Sequence, residues 1–206
     1  MDQLTDALQA AGRARPDAEA QQAAARFAAG ASDEVDLAYT DIDSPIGSLL
    51  GVASRRGLLA LLFHRGDEDE MLDRIASRVS PRILEAPVRL DPVRRELDEY
   101  FAGQRRQFDV PLDWTLTRGF GRKVLEITNR IPYGSTSTYR VVAGQAGSPR
   151  GARAAGNALG ANPIPVIVPC HRVLHTTGGL GGYGGGLENK EFLLRLEGGW
   201  GADRLL

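Results

Sequence analysis

A chain of 206 residues is long enough for one or two small domains with a real core. Its 42% hydrophobic and 25% charged residues are those of a globular protein and exclude disordered or fibrous classes. The longest apolar run, Leu58 to Phe63, is far too short to span a bilayer, and a single cysteine allows neither an internal disulfide nor a thiolate-rich zinc site. Three scattered histidines suggest no metal cluster. Asp2 and Asp6, with no cationic-then-apolar pattern around them, argue against a secretory signal, so a reducing, cytoplasmic setting is expected. The near-zero net charge hides an asymmetry. Residues 1–114 carry 14 basic and 21 acidic side chains, a net −7, whereas residues 115–206 carry 11 and 5, a net +6. A basic carboxyl-terminal half suits a phosphate-facing surface, although uneven charge is common in enzymes.

Residues 1–36 are rich in alanine and glutamine and are interrupted by Pro16. Leu4, Leu8 and Ala11 fit one face of a short helix, and Asp17 to Ala29 fits a second. With little apolar surface to bury, the segment reads as a loosely attached appendage, with a docking element as the alternative. From Tyr39 the pattern changes to strands at Tyr39–Ile42, Gly47–Ala53 and Leu58–Phe63, with Ser54-Arg55-Arg56-Gly57 as a hairpin turn. Met71, Leu72, Ile75 and Val79 give Asp69–Val79 a helical period. A further helix starts near Asp91, with Pro92 in its first turn, and ends at Phe101 before Gly103. Phe108–Leu112 reads as a last strand of a small α/β unit.

The second half is mainly helical. Phe120, Val124, Ile127 and Ile131 share one side of a helix over Thr117–Ile131, which Pro132 ends. Tyr139–Ala146 and Arg150–Leu159 are two short helices joined by Gly147-Ser148-Pro149, a spacing that suggests helix-turn-helix geometry. In the second of them Gly151, Ala152, Ala154, Ala155, Gly156 and Ala158 surround a single Arg153. Either the helix is closely packed, or its backbone must approach a partner with one long cation protruding.

The stretch Asn162-Pro163-Ile164-Pro165-Val166-Ile167-Val168-Pro169-Cys170-His171-Arg172-Val173 carries the chemistry. The β-branched run Ile164–Val168 predicts a buried strand, with Cys170 pinned at its end. A lone cysteine there is usually a small buried hydrophobe. A working thiol needs a neighbouring base or cation, and His171 and Arg172 adjoin it. Consecutive strand residues point to opposite faces, so a Cys–His dyad requires a turn beginning at Pro169. Immediate adjacency disfavours a cysteine hydrolase.

Pro169-Cys170-His171-Arg172-Val173 resembles the active-site motif of the methylated-DNA–protein-cysteine methyltransferases, also called O6-alkylguanine-DNA alkyltransferases. The resemblance continues through Tyr139, Ala152-Arg153-Ala154-Ala155-Gly156, Asn162-Pro163-Ile164-Pro165, Gly182-Tyr183-Gly184-Gly185-Gly186-Leu187 and Lys190-Glu191-Phe192-Leu193-Leu194 to Glu197-Gly198, covering residues 117–199. Residues 39–113 resemble the family's more variable amino-terminal domain, and residues 1–36 match nothing in it. The resemblance implies an α/β (α+β) chain with a small ribonuclease H-like amino-terminal domain built on antiparallel hairpins. A mainly helical, winged helix-turn-helix-like domain follows. The divisions are then an extension at 1–36, domains at 37–114 and 115–200, and a tail at 201–206.

It also implies direct-reversal DNA repair, in which Cys170 takes the alkyl group of O6-alkylguanine, and of O4-alkylthymine, once and irreversibly, without metal or other cofactor. His171, reaching Cys170 through a water and oriented by Glu197, would generate the thiolate. Tyr139 would donate to the departing purine or its phosphate. Arg153 would fill the gap left by the flipped base, with Ala152 and Gly156 letting the helix lie in the minor groove of double-stranded DNA. Asn162 would brace the turn, backbone groups near Val173 would read the guanine edge, and Pro165, Tyr183 and Gly184 would complete the pocket. No membrane partner is implied, and a monomer is expected. Gly184 departs from the serine found in some relatives, which bears on bulky alkyl groups. Gly179 to Gly184 formally fits G-x-G-x-x-G but joins no strand to a helix, and reads as a lid rather than a nucleotide site. An alkyltransferase-like protein that only binds DNA would lack Cys170, and a relative sensing methylated phosphotriesters would need further cysteines.

Overall fold

Hydrophobic runs separated by turn residues pair first with their neighbours, because a short connection costs little loop-closure entropy. In the computed structural model, which describes residues 35–198, Leu37–Ile42 (β1), Leu49–Ser54 (β2) and Gly57–Phe63 (β3) form an antiparallel meander. The helices expected before Gly30 and the tail at 201–206 lie outside the described residues. Arg55 and Arg56 turn the β2–β3 hairpin. Gly57 sits at φ +136°, where a Cβ would lie 2.2 Å from the Pro111 carbonyl oxygen, so no other residue fits.

Glu68–Arg78 (α1) lies within a residue of its expected span, and Glu68, Asp69 and Glu70 place negative charge at its amino-terminal end. The chain then returns as Ile83–Glu85 (β4), parallel to β1, giving the sheet order β3-β2-β1-β4. The sequence reading misses β4 because a strand this short shows no alternation. Asp91–Phe101 (α2) buries Val93, Glu96, Leu97 and Tyr100 against the sheet side of the core. The strand expected at Phe108–Leu112 is absent: only Leu58 and Leu112 form a bridge. Pro111 has no N–H to extend a ladder, and the buried Glu96 carboxylate instead accepts from the Asp109 and Val110 amides at 2.8 and 3.3 Å.

The second domain starts with Gly119–Thr128 (α3), shorter at both ends than the periodicity suggests. Thr117 closes a 3₁₀ turn onto Trp114, and the hydrogen bonds of Arg130 and Ile131 tighten to Ile127 and Thr128 before Pro132. Ser137–Thr138 (β5) pairs in parallel with Val173–Leu174 (β6). The Thr138 hydroxyl caps Tyr139–Gln145 (α4), and Ala152–Gly160 (α5) follows across the Gly147 turn in the expected helix-turn-helix arrangement. Leu187–Leu196 (α6) closes the domain.

The predicted strand at Ile164–Val168 is also absent. All of these residues are buried, but they form consecutive turns in which the Val168 amide donates to the Ile164 carbonyl at 2.9 Å. Pro163 and Pro165 have no amide hydrogens to offer a ladder. Val166 adopts φ +72°, a left-handed conformation that a β-branched residue reaches only under constraint. One apolar cluster runs from Ala38, Leu97 and Tyr100 through Val124 and Val142 to Ile164, Val168 and Leu193, so the domains share their core. The Leu61 amide of β3 donates to the Pro163 carbonyl at 2.8 Å, tying the sheet edge to the turn segment.

Candidate active site

Cys170 therefore stands in a knot of turns and not at a strand end. Pro169, at φ −80° and ψ 63°, forms an inverse γ-turn that brings the Cys170 amide to within 2.8 Å of the Val168 carbonyl. Cys170–Arg172 then makes a single 3₁₀ turn. This is the turn that a Cys–His dyad requires. Asn162 holds the knot from outside: its Oδ1 accepts from the Ile164 amide at 3.0 Å, and its Nδ2 donates to the Val168 carbonyl at 2.9 Å and to Cys170 Sγ at 3.2 Å.

Behind the thiol lies a buried polar relay. His171 Nε2 lies 2.9 Å from Glu197 Oε1, leaving Nδ1 buried without a protein partner. Arg172 binds the same carboxylate through two nitrogens, each at 2.8 Å, and its Nη1 reaches the Ile131 carbonyl at 2.5 Å. The Tyr100 hydroxyl, arriving from α2 of the first domain, donates to Glu197 Oε1 at 2.6 Å, and the Gly134 amide approaches Oε2 at 3.4 Å. Burial alone would raise the Glu197 pKa, but the hydrogen bonds from His171 and Arg172 outweigh it and pull the carboxyl to about 2. Burial lowers His171 below its ordinary value despite the carboxylate, and burial pushes the Cys170 thiol up against the opposing Asn162 bond and Lys190 charge. The resting pair is thus a neutral thiol and a neutral imidazole.

Lys190 of α6 is fully buried. Its ammonium donates to the carbonyls of Val173, at 2.7 Å, and Leu180. Burial brings it down to about 8, partly offset by the nearby Cys170. It leaves a cation facing the thiol at neutral pH.

In front of Cys170 a cavity of about 680 Å³ is lined by Tyr139, Ala152, Arg153, Gly156, Tyr183 and Gly184, among others. Arg153 is exposed on its rim and, among the described residues, has no hydrogen bond or ion pair, while Ala152 and Gly156 leave the same face of α5 almost bare. Half-buried Tyr139 sits between α5 and the glycine-rich loop: a Cβ on Gly156 would be 3.7 Å from its ring, and one on Gly181, at φ +68°, would be 2.5 Å from its hydroxyl. Tyr183 packs edge-on against His171 at 6.4 Å and Phe63 at 5.8 Å, its hydroxyl buried without a protein partner. The structure thus brings Cys170, Tyr139, Tyr183 and Gly184 around one space, with Arg153, Ala152 and Gly156 at its mouth, whereas the buried His171 and Glu197 do not line it. Pro165 and Asn162 line a second cavity of about 600 Å³ that Cys170 also borders, and Val173 lines neither. Its carbonyl already accepts from Lys190.

Sequence reasoning misses Tyr100 and gives Lys190 no role. A tyrosine on the apolar face of α2 signals that its hydroxyl needs a buried acceptor, and a lysine inside an apolar helix face signals the same for an ammonium. Nothing local names Glu197 or Val173 as that acceptor. Arg65, on the loop after β3, also goes unnoticed: its guanidinium donates to the Gly184 carbonyl, bridging the first domain to the loop over the cavity.

The model of the 6-O-methylguanine DNA methyltransferase DNA-binding domain matches residues 119–199, and that of the same family's ribonuclease-like domain matches residues 37–114. A methylated-DNA–protein-cysteine methyltransferase of Mycolicibacterium paratuberculosis is 42% identical over 163 residues, covering 78% of this chain and 92% of that protein. One from Methanosarcina acetivorans is 39% identical over 160 residues, covering 78% and 97%. The crystal structure of Mycobacterium tuberculosis OGT in complex with DNA superposes with a TM-score of 0.66 at 40% identity, covering 78% of this chain and 92% of that one.

Proposed function

The chain belongs to the methylated-DNA–protein-cysteine methyltransferase family, and we propose that it repairs DNA by moving the alkyl group of O6-alkylguanine, and of O4-alkylthymine, onto Cys170. The observation that carries this reading is the single buried thiol lining a cavity with room for a flipped base, backed by the His171–Glu197 relay.

The thiol proton passes through a water to His171 Nδ1, the ring nitrogen not engaged by Glu197. Thiolate sulfur attacks the alkyl carbon in line. The C–S bond forms as the C–O6 bond breaks, and its electron pair leaves with the purine. Tyr139 donates a hydrogen bond to the departing base, and the proton stored on His171 returns to it, so the products are a thioether and an ordinary guanine. A thioether is a poor leaving group and no residue nearby can remove the alkyl chain, so each molecule acts once.

The target base lies outside the reach of Cys170 while it is stacked, so it must be flipped into the cavity. Arg153 takes its place in the stack, and the bare face formed by Ala152 and Gly156 lets α5 enter the minor groove. The turn backbone around Cys170 reads the guanine edge, while Tyr183 and the Gly184 amide close over it and Pro165 packs behind. The protein acts as a monomer in the cytoplasm. Among the described residues no helix is long and apolar enough to cross a membrane.

The test is mass spectrometry after mixing the protein with a duplex carrying O6-methylguanine. The peptide containing Cys170 gains one methylene, saturating at one per protein. No gain, or a gain elsewhere in the chain, overturns the proposal, and continued turnover overturns the single-use step.

A further inference from the structure

Glu197 is held by more donors than an orienting carboxylate needs. Oε1 accepts from His171 at 2.9 Å, Arg172 at 2.8 Å and Tyr100 at 2.6 Å, while Oε2 accepts from Arg172 at 2.8 Å and Gly134 at 3.4 Å. An oxygen offers about two lone-pair directions, so three donors on Oε1 compete for the same electron density. Each donor stabilises the carboxylate, and each weakens the hold that the carboxylate can exert on a protonated imidazole. Tyr100 is the uncharged competitor, and it comes from the other domain.

We infer that Tyr100 is a positioning residue through which the first domain keeps the resting Cys170–His171 pair uncharged until a base is bound. Its ring is fixed on three sides, edge-on to Phe101 at 5.3 Å and Tyr133 at 6.1 Å and tilted on Phe108 at 5.2 Å. A phenylalanine would fill that box equally well, so packing does not explain the hydroxyl. Arg172 already fixes the carboxylate's orientation through two nitrogens, so orientation does not explain it either. What remains is electrostatic. A donor at 2.6 Å on the oxygen that faces His171 draws charge away from the imidazole. Other groups bear on the same balance. Arg172 and Tyr133 face Glu197, Lys190 faces both His171 and Cys170, and Asn162, Tyr139 and Tyr183 surround the thiol. Removing the Tyr100 hydroxyl takes a donor from Glu197 and changes neither charge nor the wall of the cavity.

A guarded thiol suits a protein that can react only once, because thiolate is the form that oxidants and stray electrophiles consume. This inference rests on the single-use reading above. Wild-type methyl transfer is therefore measured alongside, and its failure would remove that reading while leaving the thiol titration interpretable.

The experiment follows carbamidomethylation of Cys170 by iodoacetamide against pH in the full-length protein. Cys170 is the sole cysteine, so the signal is unambiguous. Tyr100→Phe is expected to lower the midpoint by about half to one pH unit, raising alkylation near neutrality about three- to tenfold. An unchanged midpoint, or an upward shift, overturns the inference and leaves Tyr100 as a strut. Should Tyr100→Phe not fold, 3-fluorotyrosine at position 100 supplies a stronger donor in the same shape. It must move the midpoint upward, and no shift or a downward one refutes the role.

Discussion

Replacing Glu197 by glutamine removes a charge while leaving shape and volume almost untouched, which makes it a clean probe of the relay. The folded protein pulls this carboxyl from 4.5 to about 2. At about 1.4 kcal/mol per unit, that corresponds to roughly 3 kcal/mol of stability at neutral pH. The substitution also leaves the Arg172 guanidinium, 7% exposed, without a counter-charge. Breaking a buried pair from one side costs about 3–5 kcal/mol, so the two routes agree. Arg172→Met is expected to cost a similar amount. The double variant should cost less than the sum by at least about 2 kcal/mol, because it leaves no unpaired charge behind. Urea unfolding of the four proteins gives all the terms. The pH dependence has a definite sign. The folded pKa lies below the unfolded one, so the stabilisation is present above pH 4.5 and is lost as pH falls through about 2. The gap between the parent and Glu197→Gln must therefore close in acid. Additive costs, or a gap that persists unchanged at low pH, refute the reasoning.

Asn162→Ala strips partners from the Ile164 amide and the Val168 carbonyl, both in a buried turn, and is expected to cost roughly 2–4 kcal/mol in urea unfolding and to slow alkyl transfer. Lys190→Met removes the buried cation facing Cys170. The midpoint of iodoacetamide alkylation should move to higher pH, and methyl transfer at neutral pH should fall by on the order of tenfold. Arg153→Ala touches an exposed side chain and should change stability by less than about 0.5 kcal/mol. It should nevertheless slow repair in duplex DNA at least about tenfold while sparing reaction with a free alkylated guanine base, since only the duplex demands flipping. Equal slowing of both removes its stacking role.

How much of this was legible in the sequence depended on how far apart the interacting residues lie. Within residues 35–198 the helices, the first hairpin and the paired short helices follow from local spacing, and each appears within a few residues of its expected place. The segment Ile164–Val168 shows where such reasoning fails. Its β-branched composition argues for a strand, yet a strand also needs amide hydrogens, which Pro163 and Pro165 do not have. The run is bent by Asn162 and by a strained Val166, and the same bend aims Cys170 into the cavity. Here the departure from local preference lies at the proposed reactive residue, as expected where function overrules propensity. The relay was legible only in part. Cys170 and His171 are adjacent, but Glu197 lies 26 residues from His171 and its Tyr100 donor 97 residues before it, and no periodicity links them. The family motif supplied Glu197. Tyr100 lies in the more variable domain, where no motif points to it, and only the folded chain brings its hydroxyl to the carboxylate. The first domain therefore does more than cover an apolar face: its Tyr100 hydroxyl reaches the Glu197 carboxylate, and on the proposed relay, changes in its packing should be felt at Cys170 even where no residue of the second domain is altered.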